Sequence, residues 1–190
     1  MSLLMPPGEY TVRLTVGGKQ LTQKLEVRRD PNSGGSDADI KEQMKTLTEL
    51  RQSVDAAAEI VNEIELVRAQ INGLRQVLEN SEILQPANEI DRKLIEVEQN
   101  LIELRLTGRG QDGVRWGSRL LGKLNYLANG LASADFRPTT QQLEVQKVLD
   151  DRLRKHRGEL DALLDRDLKA LNELMRGRGV PNIVVRRPTS

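Results

Sequence analysis

The chain has 190 residues, with 29 lysines and arginines against 28 aspartates and glutamates and a net charge of +1. That length holds one ordinary domain, or a domain and a fragment of another, and so even a charge balance argues against bulk affinity for nucleic acid or acidic membrane. Cysteine is absent and aromatic residues make up 2%, which excludes disulfide frameworks and thiolate metal sites and counts against stacking platforms for single-stranded nucleic acid.

No apolar run is long enough to span a membrane, so membrane insertion is not expected. The N-terminus lacks the basic, then apolar, then small-residue order of a signal peptide. An export signal, if the protein is exported, would lie upstream.

From Glu9 the residues alternate with period two. Tyr10, Val12, Leu14 and Val16 share one face, and Thr11, Arg13 and Thr15 the other. Gly17-Gly18 is a two-residue hairpin turn, because both positions can take positive φ. The return strand, Lys19 to Arg29, sets Leu21, Leu25 and Val27 on the apolar face. A lone hairpin is marginal in water, so this face needs covering, either by the helices or by missing strands. Missing strands are the favoured reading, which makes residues 1–32 the end of a truncated β-sandwich. Asp30 to Gly35 then forms a loop.

Ser36 to Glu79 reads as one long helix. Ser36 is a good N-cap, and Asp37 and Asp39 suit the positive end of the helix dipole. Apolar residues recur at steps of three and four: Ile40, Met44, Leu47, Leu50, Val54, Ala58, Val61, Ile64, Val67, Ile71, Leu74 and Leu78. That is a coiled-coil-like seam, which other helices must cover. Asn80 to Gln85 reads as a connector, with Pro86 at an early position of a second helix, Ala87 to Leu106. Thr107 to Gly113 breaks the pattern with three glycines. A third helix, Val114 to Ala132, carries Trp116, Leu120, Leu124, Leu127 and Leu131 inward. Its Gly117, Gly122 and Gly130 are of the kind that marks close helix approach. A fourth helix, capped by Thr139 or Thr140, extends to Arg176 with Val145, Leu149, Leu153, Leu160, Leu164, Leu168, Leu171 and Met175 inward. Gly177, Gly179 and Pro181 end it. Ile183-Val184-Val185 either packs back on the helices or forms a short strand, within a tail of residues 181–190.

The fold expected is therefore mainly α: an elongated antiparallel bundle of about four helices over residues 36–180, two of them long, preceded by a β-hairpin.

Candidate chemistry is sparse. His156, the sole histidine, sits at a seam position among scattered carboxylates, a weak metal signature better read as structural. Thr107 to Gly113 could cradle an anion, but it lacks the Gly-Lys-Ser/Thr ending of a P-loop and follows a helix rather than a strand. A demanding helix–helix connection is the better reading, with Asp112 as N-cap of the third helix. Arg109, Arg115 and Arg119 are then placed to pair with Glu98 or Glu103. Arg109, Asp112, Arg115 and Trp116 are the residues of a candidate interaction loop; no catalytic, cofactor or metal residues are assigned. Paired carboxylates such as Glu63 and Glu65 lie on helical surfaces with no cleft to make them glycosidase-like. Arg152, Arg154, Lys155 and Arg157, with Arg176, Arg178, Arg186 and Arg187, form basic groups interrupted by acids, so a solvated face is preferred over a phosphate-binding one.

Two stretches are more specific in wording than in pattern. Pro7-Gly8-Glu9-Tyr10-Thr11-Val12-Arg13-Leu14-Thr15-Val16, with Leu25-Glu26-Val27-Arg28-Arg29-Asp30-Pro31, is one. Leu106-Thr107-Gly108-Arg109-Gly110-Gln111-Asp112-Gly113-Val114-Arg115-Trp116, continuing through Gly122-Lys123-Leu124-Asn125-Tyr126-Leu127, is the other. Together they resemble the C-terminal region of large bacterial exported proteins with a sortilin-type, BNR-repeat β-propeller, often labelled glycosyl hydrolases. The Ser-x-Asp-x-Gly-x-x-Trp repeat does not occur here, so the resemblance carries over no catalytic residue. What it implies is a non-catalytic C-terminal scaffold or association module, exported to periplasm or exterior. Its partners would be upstream propeller and sandwich domains of the same chain, and it could pair as a homodimer through the helix seam or the hairpin edge. The alternative is an accessory part of a hydrolase-like enzyme whose catalytic residues lie in the propeller. A weaker third is an anion- or nucleic-acid-binding module using the helix-four arginines.

Overall fold

The computed structural model describes residues 5–79, 81–108 and 111–185, with the main chain alone at Ser81. It is mainly helical, with a two-stranded antiparallel hairpin before the helices. The described residues form two compact units. One comprises the residues up to Gln52 with Asn125–Gln146; the other comprises Ser53–Leu124 and the residues from Lys147 onward.

In the first unit, β1 (Gly8–Val16) pairs with β2 (Lys19–Val27) in the register expected from the turn: Leu14 faces Leu21, and Tyr10 faces Leu25. Gly17 and Gly18 have φ of +54° and +78°, the two left-handed positions of a type I′ turn, whose twist matches the strands. The Asp30 carboxylate then accepts from the Asn32 N–H at 2.9 Å, and its carbonyl from Ser33 at 3.0 Å. This turn leads into α1 (Asp37–Val77). Ser36 caps it: the Asp39 N–H donates to Ser36 Oγ at 3.2 Å, and the Ser36 N–H to Asp39 Oδ2 at 3.1 Å. This is a capping box with aspartate in the glutamate role, and the Ser36 hydrogen bonds hold the Asp39 carboxyl below the usual range.

Ile40, Leu47 and Leu50 of α1 are buried, as are Leu127, Ala128 and Leu131 of α4 (Leu120–Leu131). Polar side chains share this core. Gln43 donates to the Leu131 and Ala134 carbonyls at 2.6 and 2.5 Å, satisfying acceptors that the end of α4 leaves orphaned. The helix α5 (Thr140–Ala162) starts with Thr139 as cap, its Oγ1 accepting from the Gln142 N–H at 3.2 Å. Val145, expected inward, is exposed; Gln146 is buried in its place and donates to Glu49 at 3.1 Å.

In the second unit, α1 contributes Ala57, Ile60, Val61, Ile64, Val67 and Ile71 to the core. The second helix departs from expectation at both ends. α2 spans Ser81–Leu101 with Pro86 inside it. Proline costs one rung of the ladder, that to the Glu82 carbonyl, but Ile83 is fully buried one turn earlier, and burying such a side chain returns about 2 kcal/mol. At the other end Leu104 and Leu106 are exposed beyond the helix. The third helix is broken: one turn, α3 (Asp112–Arg115), then a non-helical step through Trp116–Arg119, extended at Trp116, before α4. Its glycines do not mark helix–helix approach. A Cβ on Gly117 or Gly130 would meet open space, and one on Gly122 would meet Ser118, four residues back in the chain.

The fourth helix runs from Thr140 to Gly177 but contains a π turn, Leu163–Leu168, between α5 and α6 (Lys169–Gly177). Leu149, Leu153, Leu160, Leu164, Leu168, Leu171 and Met175 are buried as expected. Side-chain pairs fix the directions. Arg68 reaches Asp91 and Glu98 while Arg75 reaches Asn88 and Asp91, so α1 and α2 are antiparallel. Ser53 donates to Asp150 and Arg157 pairs with Glu63, so α1 and α5 run the same way, both opposed to α2.

Candidate functional site

The glycine-rich loop is held by two clasps. Asp112 does not cap α3; the N-cap position is Gln111, without a side-chain bond. Instead Asp112 Oδ2 accepts from the Thr107 N–H at 2.8 Å and the Thr107 hydroxyl at 2.6 Å, closing the loop across Gly108, whose φ is +73°. The second clasp is centred on Glu103, whose side chain is nearly buried. Its oxygens accept from Arg105 at 2.6 and 2.9 Å and from Arg119 at 3.0 and 2.9 Å. The Arg105 guanidinium also lies 3.6 Å from the Trp116 ring centroid, a cation–π stack. The hydrogen bonds from Arg105, then from Arg119, hold the Glu103 carboxyl down at about 2.

Of the candidate loop residues, the structure therefore joins Asp112 to Thr107 and Trp116 to Arg105, and leaves Arg115 exposed on α3. Arg109 lies outside the described residues. The expected pairing of a helix-three arginine is found for Arg119 with Glu103; Glu98 is taken by Arg68 of α1 instead. Sequence reasoning missed Arg105, for which only its position two residues beyond Glu103 gave a hint. A carboxylate this acidic, already accepting from two arginines, is a structural anchor rather than a proton acceptor near neutral pH.

His156 is buried, and its Nδ1 lies 2.8 Å from Glu159 Oε2. Among the described residues no group of three or more histidine or acidic side chains is placed to hold a metal ion, and no helix is long and apolar enough to cross a membrane. Three members of the helix-four basic group are paired: Arg154 with Asp151, Lys155 with Glu159, and Arg157 with Asp161 and with Glu63 of α1. Arg186 and Arg187 lie outside the described residues. Two shallow concavities flank the π turn. One, about 400 Å³, is lined by residues including Lys93, Glu96, Glu159 and Arg166; the other, about 350 Å³, by residues including Leu164, Leu168, Asn172 and Val185. Asp112, Arg115 and His156 line neither.

Among the described residues, several exposed apolar side chains are grouped on the hairpin. Val12, Leu14, Val16, Leu21 and Leu25 share one face and are 49–67% exposed. The opposite face is polar, with Lys24 3.7 Å from Glu9. Among the described residues the sheet has two strands only, so each strand also presents one unpaired edge. Apolar side chains grouped in this way on one face of a two-stranded sheet differ from leucines scattered singly over a surface.

No protein-family model matches the chain, and no curated protein or solved structure matches it.

Proposed function

We propose that the chain is a non-catalytic association module whose binding surface is the hairpin, occupied by the hairpin of a second copy. The observation that carries this reading is the apolar row Val12-Leu14-Val16 with Leu21 and Leu25, exposed on a sheet with open edges. The α1 seam, the other association route the sequence offered, is largely used within the chain: Ile40, Leu47, Leu50, Val61, Ile64, Val67 and Ile71 are buried. Two-fold pairing of β1 with β1 of a second copy about Thr11 would set Glu9 opposite Arg13 twice on the polar face. It would set Tyr10 opposite Val12 twice on the apolar face. Opposite charges and an aromatic–aliphatic pair are favourable across strands, and the product is a four-stranded sheet in place of a marginal two-stranded one. The resemblance to exported propeller-bearing proteins adds a setting for this module, beside sandwich and propeller domains of a longer chain.

The test is solution mass by light scattering over a dilution series. The expected result is a species of twice the 21.4 kDa of one chain, reverting to one chain in the Thr11→Pro variant, which removes the outward N–H at the centre of the β1–β1 pairing. A single-chain mass at every concentration would overturn the reading.

A further inference from the structure

Both faces of the hairpin are open. Apart from Tyr10 and Val27, every residue of β1 and β2 is exposed. The register sorts the side chains, because residues directly opposite each other share a face. Tyr10 with Leu25, Val12 with Gln23, Leu14 with Leu21 and Val16 with Lys19 form one face. Glu9 with Glu26, Thr11 with Lys24 and Arg13 with Thr22 lie on the other. The first face therefore bears a single ionic side chain, Lys19 beside the turn, while the second bears ions of both signs.

Pairing β1 with β1 of a second copy leaves the apolar face uncovered, because strand-to-strand hydrogen bonds lie in the plane of the sheet. It also enlarges that face, since the apolar rows of the two copies become neighbours. A sheet that is apolar on one side must bury that side against another layer. Area sets the size of the layer. A valine or leucine side chain carries roughly 60–120 Å² of apolar area. At 49–67% exposure, Val12, Leu14, Val16, Leu21 and Leu25 offer roughly 250 Å² per chain. Two lone hairpins face to face would cover roughly 500 Å² of it, the scale of a chance contact, whereas two four-stranded sheets would cover roughly 1,000 Å², the floor for a specific interface. Charge sets the identity of the layer. A two-fold contact brings like residues together, which costs energy on an ionic face and little on this one. The Gln23 amide both donates and accepts, so it can bond its own two-fold mate.

We infer that two such paired sheets stack through this face, so that four copies build an eight-stranded sandwich with Val12, Leu14, Leu21 and Leu25 inside. The sheets would lie about 10 Å apart, with their strands within about 30° of alignment. The inference rests on the edge pairing proposed above and supplies the layer which that pairing leaves out.

The test extends the light-scattering series upward in concentration and compares three full-length chains. The parent is expected to rise from two chains to four. Leu14→Glu/Leu21→Glu charges the face, spares the β1 edge and is expected to stop at two. Thr11→Pro is expected to stay at one, because lone hairpins bury too little. If the glutamate variant falls to one chain, Leu14→Thr/Leu21→Thr, which keeps strand-forming side chains, replaces it with the same expectation of two. A parent that stays at two chains up to about 1 mM, or a face variant that reaches four, would overturn the sandwich and leave the edge pairing standing. A Thr11→Pro chain that pairs while the face variants do not would instead overturn the edge pairing, and the sandwich with it.

Discussion

Gly35 packs against the main chain of Asp135 so closely that a Cβ built on it would lie 1.8 Å from the Asp135 carbonyl oxygen. The contact joins the linker after the hairpin to the turn after α4, and Arg29 reinforces it by donating to the Gly35 carbonyl at 2.6 Å. Backbone cannot yield as a flexible side chain can. Gly35→Ala is therefore expected to cost about 2–3 kcal/mol in urea unfolding, the upper range for overpacking. Gln43 supports the same turn through the Leu131 and Ala134 carbonyls. Gln43→Leu leaves both without that donor and is expected to cost about 2 kcal/mol. Because Ala134 and Asp135 are adjacent, the double variant should cost less than the sum. Strict additivity would show that the two contacts do not stabilise one turn.

The first turn of α2 rests on Ile83, which is 1% exposed, against the lost rung at Pro86. Ile83→Ala should cost about 3 kcal/mol, in the range for truncating a buried aliphatic, and should raise exchange of the Gln85 and Ala87 amides, which bond within the first turns, well before the rest of α2. Pro86→Ala should restore the rung and slow exchange there. Equal exchange along all of α2 in the Ile83 variant would contradict this account.

These two cases show where local pattern and final structure part. The hairpin register was legible because a two-residue turn at Gly17-Gly18 sets Val16 opposite Lys19, and the starts of α1 and α5 because Ser36 and Thr139 precede their helices with partners three residues on. The α2 start was not, because Pro86 reads locally as a beginning and only tertiary burial of Ile83 extends the helix behind it. The break at Trp116–Arg119 was hidden by the four-residue steps from Trp116 to Leu120 to Leu124, which persist through a non-helical segment. The π turn was hidden similarly, since Leu160, Leu164, Leu168 and Leu171 keep helical spacing across it. Of the candidate loop, the Arg119–Glu103 pair was legible and the Arg105–Trp116 stack was not. The partners that seat residues 183–184 gave no signal: Asn172 of α6 bonds both main-chain groups of Ile183, and Gln70 of α1 those of Val184, and polar residues on distant helices leave no periodicity.

Trp116 is the only tryptophan, and Arg105 stacks on it while Glu103 anchors Arg105. Its fluorescence should therefore report the Glu103 carboxyl. Arg105→Ala should change the emission at pH 7 with little change in helicity. In the parent chain the same change should appear on acidification. Glu103 is depressed from 4.5 to about 2, so its contribution is full above the ordinary value and is lost as pH falls through about 2. Glu103→Gln should remove that titration. An emission midpoint near 4.5 would contradict the anchored geometry.

Glu98 has the opposite sign. Its side chain is fully buried, Arg68 Nη1 donates to Oε2 at 2.5 Å, and Oε1 has no partner. Burial pushes its carboxyl above the ordinary 4.5, against the lowering by Arg68, and Glu65 and Asp91 push the same way as burial. A carboxyl raised in the folded state binds its proton more tightly there than when unfolded. Its effect on stability is thus most favourable below 4.5 and declines as pH rises through the raised value. The difference in unfolding free energy between the parent and Glu98→Gln, which cannot ionise, should fall across that window. At neutral pH, Glu98→Gln should cost no more than about 1 kcal/mol, since an amide can keep one bond to Arg68 and Arg68 keeps Asp91 at 3.0 Å. Arg68→Ala strands the buried Glu98 carboxylate and should cost about 3 kcal/mol. If the two substitutions cost the same at neutral pH, and the parent's margin over Glu98→Gln does not change with pH, the buried carboxylate carries no net electrostatic strain.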